Sequence, residues 1–280
     1  MNSHTRSIDT LLAQATGSLS TDAARLEAEI LLAACLDRPR SHLYAWPERQ
    51  VEPRRQERFA ALVSRRARGE PLAYLLGQRE FWSLPLTVTP DTLIPRPETE
   101  TLVTLALEKI PVDNQPRIAD LGTGAGTIAL AIARERPRSE VIATDISLAA
   151  LSVARHNAAQ LDLDNVRFAC GSWCRIFPAD VFDFILSNPP YVAETDPHLR
   201  AGDVRFEPSM ALASGPEGLN ALRRIITGAH DRLHRDGWLI LEHGYDQGHK
   251  VMQLMSTQGF REVSDHADAS GLSRVAVGRR

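Results

Sequence analysis

The chain has 280 residues, 32 of them Lys or Arg against 35 Asp or Glu, with 43% hydrophobic residues and three cysteines. This composition excludes wholesale disorder and a disulfide framework, and a net charge of −3 gives no global attraction for a polyanion. No apolar run approaches the ~20 residues of a membrane span, and Met1–Arg6 leads into an amphipathic stretch rather than a signal-peptide core. The expectation is a soluble protein of a reducing compartment, the cytoplasm, with one large or two ordinary domains.

The first part reads as helices. Ile8, Leu11, Leu12 and Ala15 have helical spacing, and Ser20 or Thr21 is placed to cap a second helix with Ala24, Ala28, Leu31, Leu32 and Cys35 on its apolar face. After a short segment at Ser41–Ala45, Pro53 opens a further helix with Phe59, Leu62 and Val63 inward and Arg54, Arg55, Arg58, Arg65, Arg66 and Arg68 outward. Residues 1–80 carry 12 Arg against 10 acids, and residues 81–280 carry 20 basic residues against 25 acids. A solvated face and a partner-binding face both account for the arginine run.

Residues 81–97 alternate apolar and polar side chains with prolines as punctuation, which predicts a connector containing a β-hairpin. A helix follows at about 98–109. From Arg117 strands alternate with helices. The strands are expected at Arg117–Leu121, Glu140–Thr144, Val166–Cys170, Phe182–Ser187, Gly237–Glu242, Phe260–Ser264 and Arg274–Gly278. The fold class is therefore α/β, a Rossmann-like, seven-stranded and mostly parallel sheet ending in an antiparallel pair, preceded by a small helical bundle. The domains are read as 1–80, 81–97 and 98–280.

Asp120-Leu121-Gly122-Thr123-Gly124-Ala125-Gly126 sits where the first of these strands meets its helix. Glycines at alternate positions permit a tight turn and close backbone approach to a ligand. The spacing fails the G-x-G-x-x-G dinucleotide pattern, and no Lys-Ser/Thr follows as in a phosphate-binding loop. The acid-x-Gly-x-Gly-x-Gly pattern resembles the loop of class I S-adenosylmethionine methyltransferases. Asp120 offers a counter-charge to the ammonium of that cofactor. Asp145 ends the next strand, where a carboxylate reaches ribose hydroxyls. Trp173 offers either a wall for the adenine or a half-buried core aromatic. Ser172 stands where many such enzymes have an acid.

Asn188-Pro189-Pro190-Tyr191 follows the fourth strand. An amide or exocyclic amino nitrogen is planar and a poor nucleophile, because its lone pair is delocalised. The Asn188 side-chain oxygen and the Pro189 carbonyl are two acceptors suited to hold such an NH₂ group and to stabilise the charge that grows on it. Pro189 and Pro190 stiffen the loop, and Tyr191 presents a flat face. DNA adenine methyltransferases and protein glutamine methyltransferases share this tetrapeptide.

The set Gly77–Phe81, Ile94–Glu100, Asp120–Gly126, Asn188–Tyr191, Phe206–Pro208, Leu241–Gly244 and Arg274–Val275, in this order, resembles the HemK-type (PrmC) release-factor glutamine methyltransferases over nearly the whole chain. The resemblance implies methyl transfer from S-adenosylmethionine, with S-adenosylhomocysteine as product. The acceptor it implies is the side-chain N5 of the glutamine in the Gly-Gly-Gln loop of class-1 peptide chain release factors, which modulates translation termination. It implies that Asp120, Gly122, Thr123, Gly124, Ala125, Gly126, Asp145, Trp173 and Asn188 hold the cofactor. Asn188, Pro189, Pro190 and Tyr191 would frame the substrate, with Asn188, Pro189 and Tyr191 catalytic. The helical part would grip the release factor, and the enzyme would act as a monomer. Ser172 and Ser273 depart from the family pattern. A ribosomal-protein glutamine methyltransferase is the near alternative and a DNA adenine methyltransferase the remoter one. The acidic balance after residue 80 and the lack of a large insertion speak against duplex DNA. No metal site, membrane or direct nucleic-acid contact is expected. Cys170 and Cys174 lack partners at metal spacing, His243 beside Glu242 is read as structural, and Glu207 as ordering the active loop.

Overall fold

The computed structural model describes residues 5–280, so Met1–His4, part of the stretch on which the signal-peptide expectation falls, lie outside it. The chain divides after Gly77 into two compact units.

The first unit is helical. A short strand β1 (Arg6–Ser7) leads into α1 (Ile8–Ser18), capped by the Ser7 hydroxyl, which accepts from the Thr10 amide at 3.3 Å. α2 (Ala24–Leu36) begins past the expected cap at Ser20 or Thr21, and no side chain caps it. α3 (Ser41–Ala45), β2 (Gln50–Val51, antiparallel to β1), α4 (Pro53–Ala67) and an unforeseen α5 (Leu72–Leu76) complete the unit. Its core is Ile8, Leu12, Leu31, Leu32, Leu43 and Phe59. One expected outward arginine turns inward: Arg66 is buried and grips Glu27 of α2 through two bonds of 2.9 and 2.8 Å. A helix face reads outward only until a neighbouring helix supplies a buried carboxylate.

The second unit opens with a hairpin, β3 (Gln78–Phe81) and β4 (Leu84–Thr87). It starts before the expected connector. Its two-residue turn holds Trp82 and Ser83 at φ +52 and +56, the left-handed pair that matches strand twist. Then follow α6 (Thr99–Lys109), β5 (Arg117–Leu121), α7 (Thr127–Glu135), β6 (Glu140–Asp145), α8 (Leu148–Gln160), β7 (Val166–Cys170), β8 (Phe182–Ser187), α9 (Asn220–Arg232), β9 (Leu233–Glu242), α10 (Gly248–Gln258), β10 (Arg261–Ala267) and β11 (Ser273–Arg279).

The seven strands lie in the order β10-β11-β9-β8-β5-β6-β7, with β11 antiparallel to both neighbours and the other pairs parallel. Alternate residues serve the two faces of the sheet. Ile118, Phe184, Leu186 and Ile240 pack in one layer, and Ala119, Leu121, Ile185, Leu239 and Leu241 in the other. Burial on both faces explains why these strands read as continuous apolar runs. Strand order reverses at β5, since β6 and β7 lie to one side and β8 to the other. That reversal opens a crevice at the carboxyl ends of β5 and β8. The stretch 188–219 runs from β8 over this crevice through short 3₁₀ turns at Pro197–Arg200, Asp203–Phe206 and Ser209–Ala211.

The Arg66–Glu27 pair generates a stability prediction. Arg66 hydrogen bonding holds the Glu27 carboxyl below the usual carboxylate range. Arg66→Ala leaves that carboxylate buried and unpaired, an expected loss of about 3–5 kcal/mol in urea unfolding, whereas Glu27→Leu with Arg66→Met loses much less. In the parent protein the pair's contribution is complete at neutral pH and disappears as the pH falls through the lowered pKa of Glu27.

Candidate active site

Asp120 pairs with Leu186 in the parallel register of β5 and β8, and the Ser187 hydroxyl donates to the Leu121 carbonyl at 2.6 Å. The glycine loop and the Asn-Pro-Pro-Tyr loop therefore leave the sheet side by side. Between them lies a cleft of about 250 Å³ lined by Gly122, Gly124, Asp145, Trp173, Asn188 and Pro190. These six residues, expected at the site, share one space. The other expected residues do not line it: Asp120, Thr123, Ala125, Gly126 and Pro189 are buried beside it, and Tyr191 is half-buried and packs on the core.

The glycine loop is built from the strand ends. The amides of Gly122 and Thr123 both donate to the Thr144 carbonyl at 2.8 Å. Gly122 and Gly124 adopt φ +76 and +56, and a Cβ on Gly122 would come within 3.2 Å of the Trp173 ring. Asn157 of α8 donates to the Ala125 carbonyl at 2.9 Å and pairs with the Thr87 backbone, tying the loop to the hairpin. The Gly124 amide and the Ser147 amide each donate to one oxygen of Asp145, at 3.0 and 2.9 Å. Each oxygen keeps a lone pair for a ligand hydroxyl.

Asp120 is fully buried. Its Oδ2 accepts from the Thr123 hydroxyl at 2.6 Å and the Ala129 amide at 3.1 Å, while its Oδ1 has no partner. Burial pushes the carboxyl up to about 7. An orphaned buried oxygen costs on the order of 1–3 kcal/mol, and an incoming cationic donor relieves it. That feature, with the side-chain-free surface at Gly122 and Gly124, fits the ammonium-bearing tail of S-adenosylmethionine. Trp173 adopts φ +51, a left-handed conformation that a bulky residue seldom takes, while lining the cleft and packing on the core.

Asn188 heads the second loop. Its Nδ2 donates to the Thr99 hydroxyl at 3.1 Å, Thr99 donates to Glu242 Oε2 at 2.7 Å, and the Tyr191 hydroxyl donates to Glu242 Oε1 at 3.1 Å. Burial is the main cause that pushes the Tyr191 phenol up. Gln247 donates to the Tyr191 carbonyl at 3.0 Å, and Gly218 packs against that same carbonyl. Thr99 and Glu242 lie within sequence motifs but are not among the residues expected at the site. Neighbours on a strand face opposite ways, so Glu242 and His243 serve separate partners. His243 instead faces Asp265 at 3.0 Å and the Gly244 carbonyl at 2.9 Å.

Glu207 orders a different segment from the one expected. Its buried carboxylate accepts from the Ile94 amide at 3.1 Å and from the Arg96 guanidinium. The Pro-Arg stretch and the Phe-Glu-Pro stretch are thus clamped together, and their neighbours Leu93 and Met210 enter the cleft. Ile146 also lines it, 60% exposed at the end of β6. No apolar period marks Ile146, Leu93 or Met210, because loop residues meet there. Among the described residues no three His, Cys, Asp or Glu gather as a metal site, and no helix is long and apolar enough to cross a membrane.

Comparison with known proteins places this chain in a family. The family models described as "PrmC N-terminal domain" and "Methyltransferase small domain" match residues 10–77 and 100–211. A release factor glutamine methyltransferase of Coxiella burnetii is 51% identical over 91% of this chain and 92% of that protein. One of Xylella fastidiosa is 49% identical over 96% of each. The crystal structure of a methyltransferase from Pyrococcus furiosus superposes with a TM-score of 0.53, at 18% identity, over 70% of this chain and 88% of that one, which supports the fold. The fold and site define a methyltransferase. The chain belongs to the release factor glutamine methyltransferase family.

Gly218 offers a test of how the second loop is braced. It adopts φ +70, and a Cβ there would fall 2.1 Å from the Tyr191 carbonyl oxygen. Gly218→Ala is expected to destabilise the protein by more than the ~1–2 kcal/mol of left-handed strain alone. Tyr191 should also show altered mobility in its aromatic NMR signals.

Proposed function

We propose that this chain transfers the methyl group of S-adenosylmethionine to the side-chain N5 of the glutamine in the Gly-Gly-Gln loop of class-1 peptide chain release factors, modulating translation termination and leaving S-adenosylhomocysteine. One observation carries the reading. The Asn188 amide is held by its nitrogen, so its oxygen is the free acceptor at a cleft shared with Gly122, Gly124 and Asp145.

When bound, S-adenosylmethionine supplies a methyl group on a positively charged sulfonium. Asp145 accepts from the ribose hydroxyls, Gly122 and Gly124 admit the tail, and Asp120 answers the ammonium from behind the loop. Trp173 and Ile146 give flat and apolar cover to the adenine. Asn188 Oδ1 and the Pro189 carbonyl accept from the glutamine NH₂. That pairing orients a weak nucleophile and stabilises the positive charge growing on its nitrogen. The proton becomes acidic as the bond forms and leaves without a dedicated base. Pro189 and Pro190 keep the loop from reorganising, and Tyr191 covers the planar amide.

The helical unit grips the release factor outside the glutamine loop, with Arg54 and Arg58 exposed on α4. The enzyme acts as a cytoplasmic monomer. A protein acceptor suits the acidic balance of residues 81–280 better than duplex DNA does.

Incubation with labelled S-adenosylmethionine and, separately, release factor, ribosomal protein and duplex DNA tests the reading. Methyl mapped by mass spectrometry to the Gly-Gly-Gln glutamine is expected; methyl on ribosomal protein or adenine overturns it. Asn188→Ala should lower kcat by about 100-fold or more, as loss of a preorganised polar group does, while cofactor affinity in calorimetry falls far less. Arg54→Glu with Arg58→Glu should raise KM for the release factor alone, and an unchanged KM assigns that face to solvent.

A further inference from the structure

We infer that Glu242 and Thr99 are positioning residues that fix which end of the Asn188 side-chain amide faces the substrate. The inference rests on the glutamine-methyltransferase reading above.

Proton bookkeeping along the chain of bonds leads to it. Thr99 has one hydroxyl proton and two neighbours, Glu242 Oε2 at 2.7 Å and Asn188 at 3.1 Å. An ionised carboxylate only accepts, so the Thr99 proton goes to Glu242. Thr99 Oγ1 then acts as an acceptor toward Asn188, which must offer its NH₂. The amide oxygen, on the other side of the same carbon, is thereby turned away from Thr99. The opposite orientation would set the Asn188 oxygen against a Thr99 lone pair. The second Glu242 oxygen is engaged by the Tyr191 hydroxyl at 3.1 Å. One buried carboxylate thus orients the acceptor of Asn188 and pins the ring of Tyr191.

Three elements meet here: the first turn of α6, the end of β9 and the loop after β8. They bring together residues 99, 188, 191 and 242. An apolar replacement at Glu242 would leave Thr99 free to donate toward Asn188. The amide could then present NH₂ to NH₂, where no hydrogen bond forms.

The carboxylate is also the part of the chain that titrates. Burial pushes Glu242 up to about 7, opposed by the bonds from Thr99 and Tyr191 and by the charge of Arg274, and assisted by Glu98. Above that value Glu242 is ionised and only accepts. As the pH falls through it, Glu242 gains a proton; Oε1 already accepts from Tyr191, so the proton goes to Oε2, which then donates to Thr99, and the polarity of the chain reverses. Turnover should therefore fall on the acid side. The carboxamide of Glu242→Gln resembles the protonated acid at every pH.

The experiment compares the full-length parent with Glu242→Gln, Thr99→Val and Thr99→Ser. Methylation of release factor is measured from pH 6 to 9, cofactor affinity by calorimetry and folding by thermal melting. Glu242→Gln should lower kcat by about 30-fold or more, approaching the ~100-fold cost of losing a preorganised group outright. Its cofactor affinity and KM should stay within roughly 2-fold, and it should lose the acid limb. Thr99→Val should fall about 10-fold, with Thr99→Ser regaining most of that loss. Glu242→Gln turnover within roughly 2-fold of the parent with the acid limb intact overturns the inference. So does Thr99→Ser as impaired as Thr99→Val.

A substrate-independent arm separates this inference from the functional reading. The Asn188 side-chain NH₂ signals, assigned by their absence in Asn188→Ala, should exchange slowly in the parent and fast in Thr99→Val. Fast exchange in the parent overturns the network whatever the substrate is. Slow exchange without methylation of release factor upholds the network and refutes the substrate.

Discussion

Strands β5 and β8 run parallel with Asp120 opposite Leu186, and the next residues, Leu121 and Ser187, are joined by the 2.6 Å bond from the Ser187 hydroxyl. The two loops that follow begin at the same height on the same edge of the sheet. A slip of one residue would turn Leu186 from its apolar layer to the opposite face and move Asn188 away from the glycine loop. The cleft, its lining and the chain of bonds behind it all follow from this register. The Ser187–Leu121 bond and the close packing of the two buried layers keep the register in place, since a slip breaks the one and misfits the other.

The same arrangement places carboxylates where they are costly. Asp120, Glu207 and Glu242 are all buried, and burial raises each above the ordinary carboxylate range, Asp120 and Glu242 to about 7. Each has a different compensation. Glu207 has a guanidinium and a backbone amide, Glu242 has two hydroxyls, and Asp120 has a hydroxyl and an amide on one oxygen with nothing on the other. Groups held this way favour preorganisation over stability. A glutamine nitrogen attacks poorly, so a site that methylates it gains most from acceptors that are already aimed.

Local patterns made much of this legible in the sequence. Runs such as Arg117–Leu121 and Phe182–Ser187 gave the strands, and helical spacing at Ile8–Ala15 gave the first helix. The glycine loop and Asn188–Tyr191 were visible because their chemistry is carried by neighbouring residues. What escaped depends on contacts between distant parts of the chain. Glu27 meets Arg66, Arg96 meets Glu207, and Thr99 meets Glu242 only after the topology has formed. No period in the sequence marks such partners. The hairpin turn at Trp82-Ser83 was also hidden, since neither residue is a usual left-handed one.

The central claim is that Asn188 presents its side-chain oxygen to an amide nitrogen. The most direct measurement is a crystal structure with S-adenosylhomocysteine and a release factor or a Gly-Gly-Gln peptide bound. The account predicts the glutamine nitrogen at hydrogen-bonding distance, about 2.7–3.2 Å, from Asn188 Oδ1 and the Pro189 carbonyl, with Asn188 Nδ2 still on Thr99. A glutamine whose oxygen, rather than nitrogen, faces Asn188, or whose side chain lies outside the cleft, would contradict it.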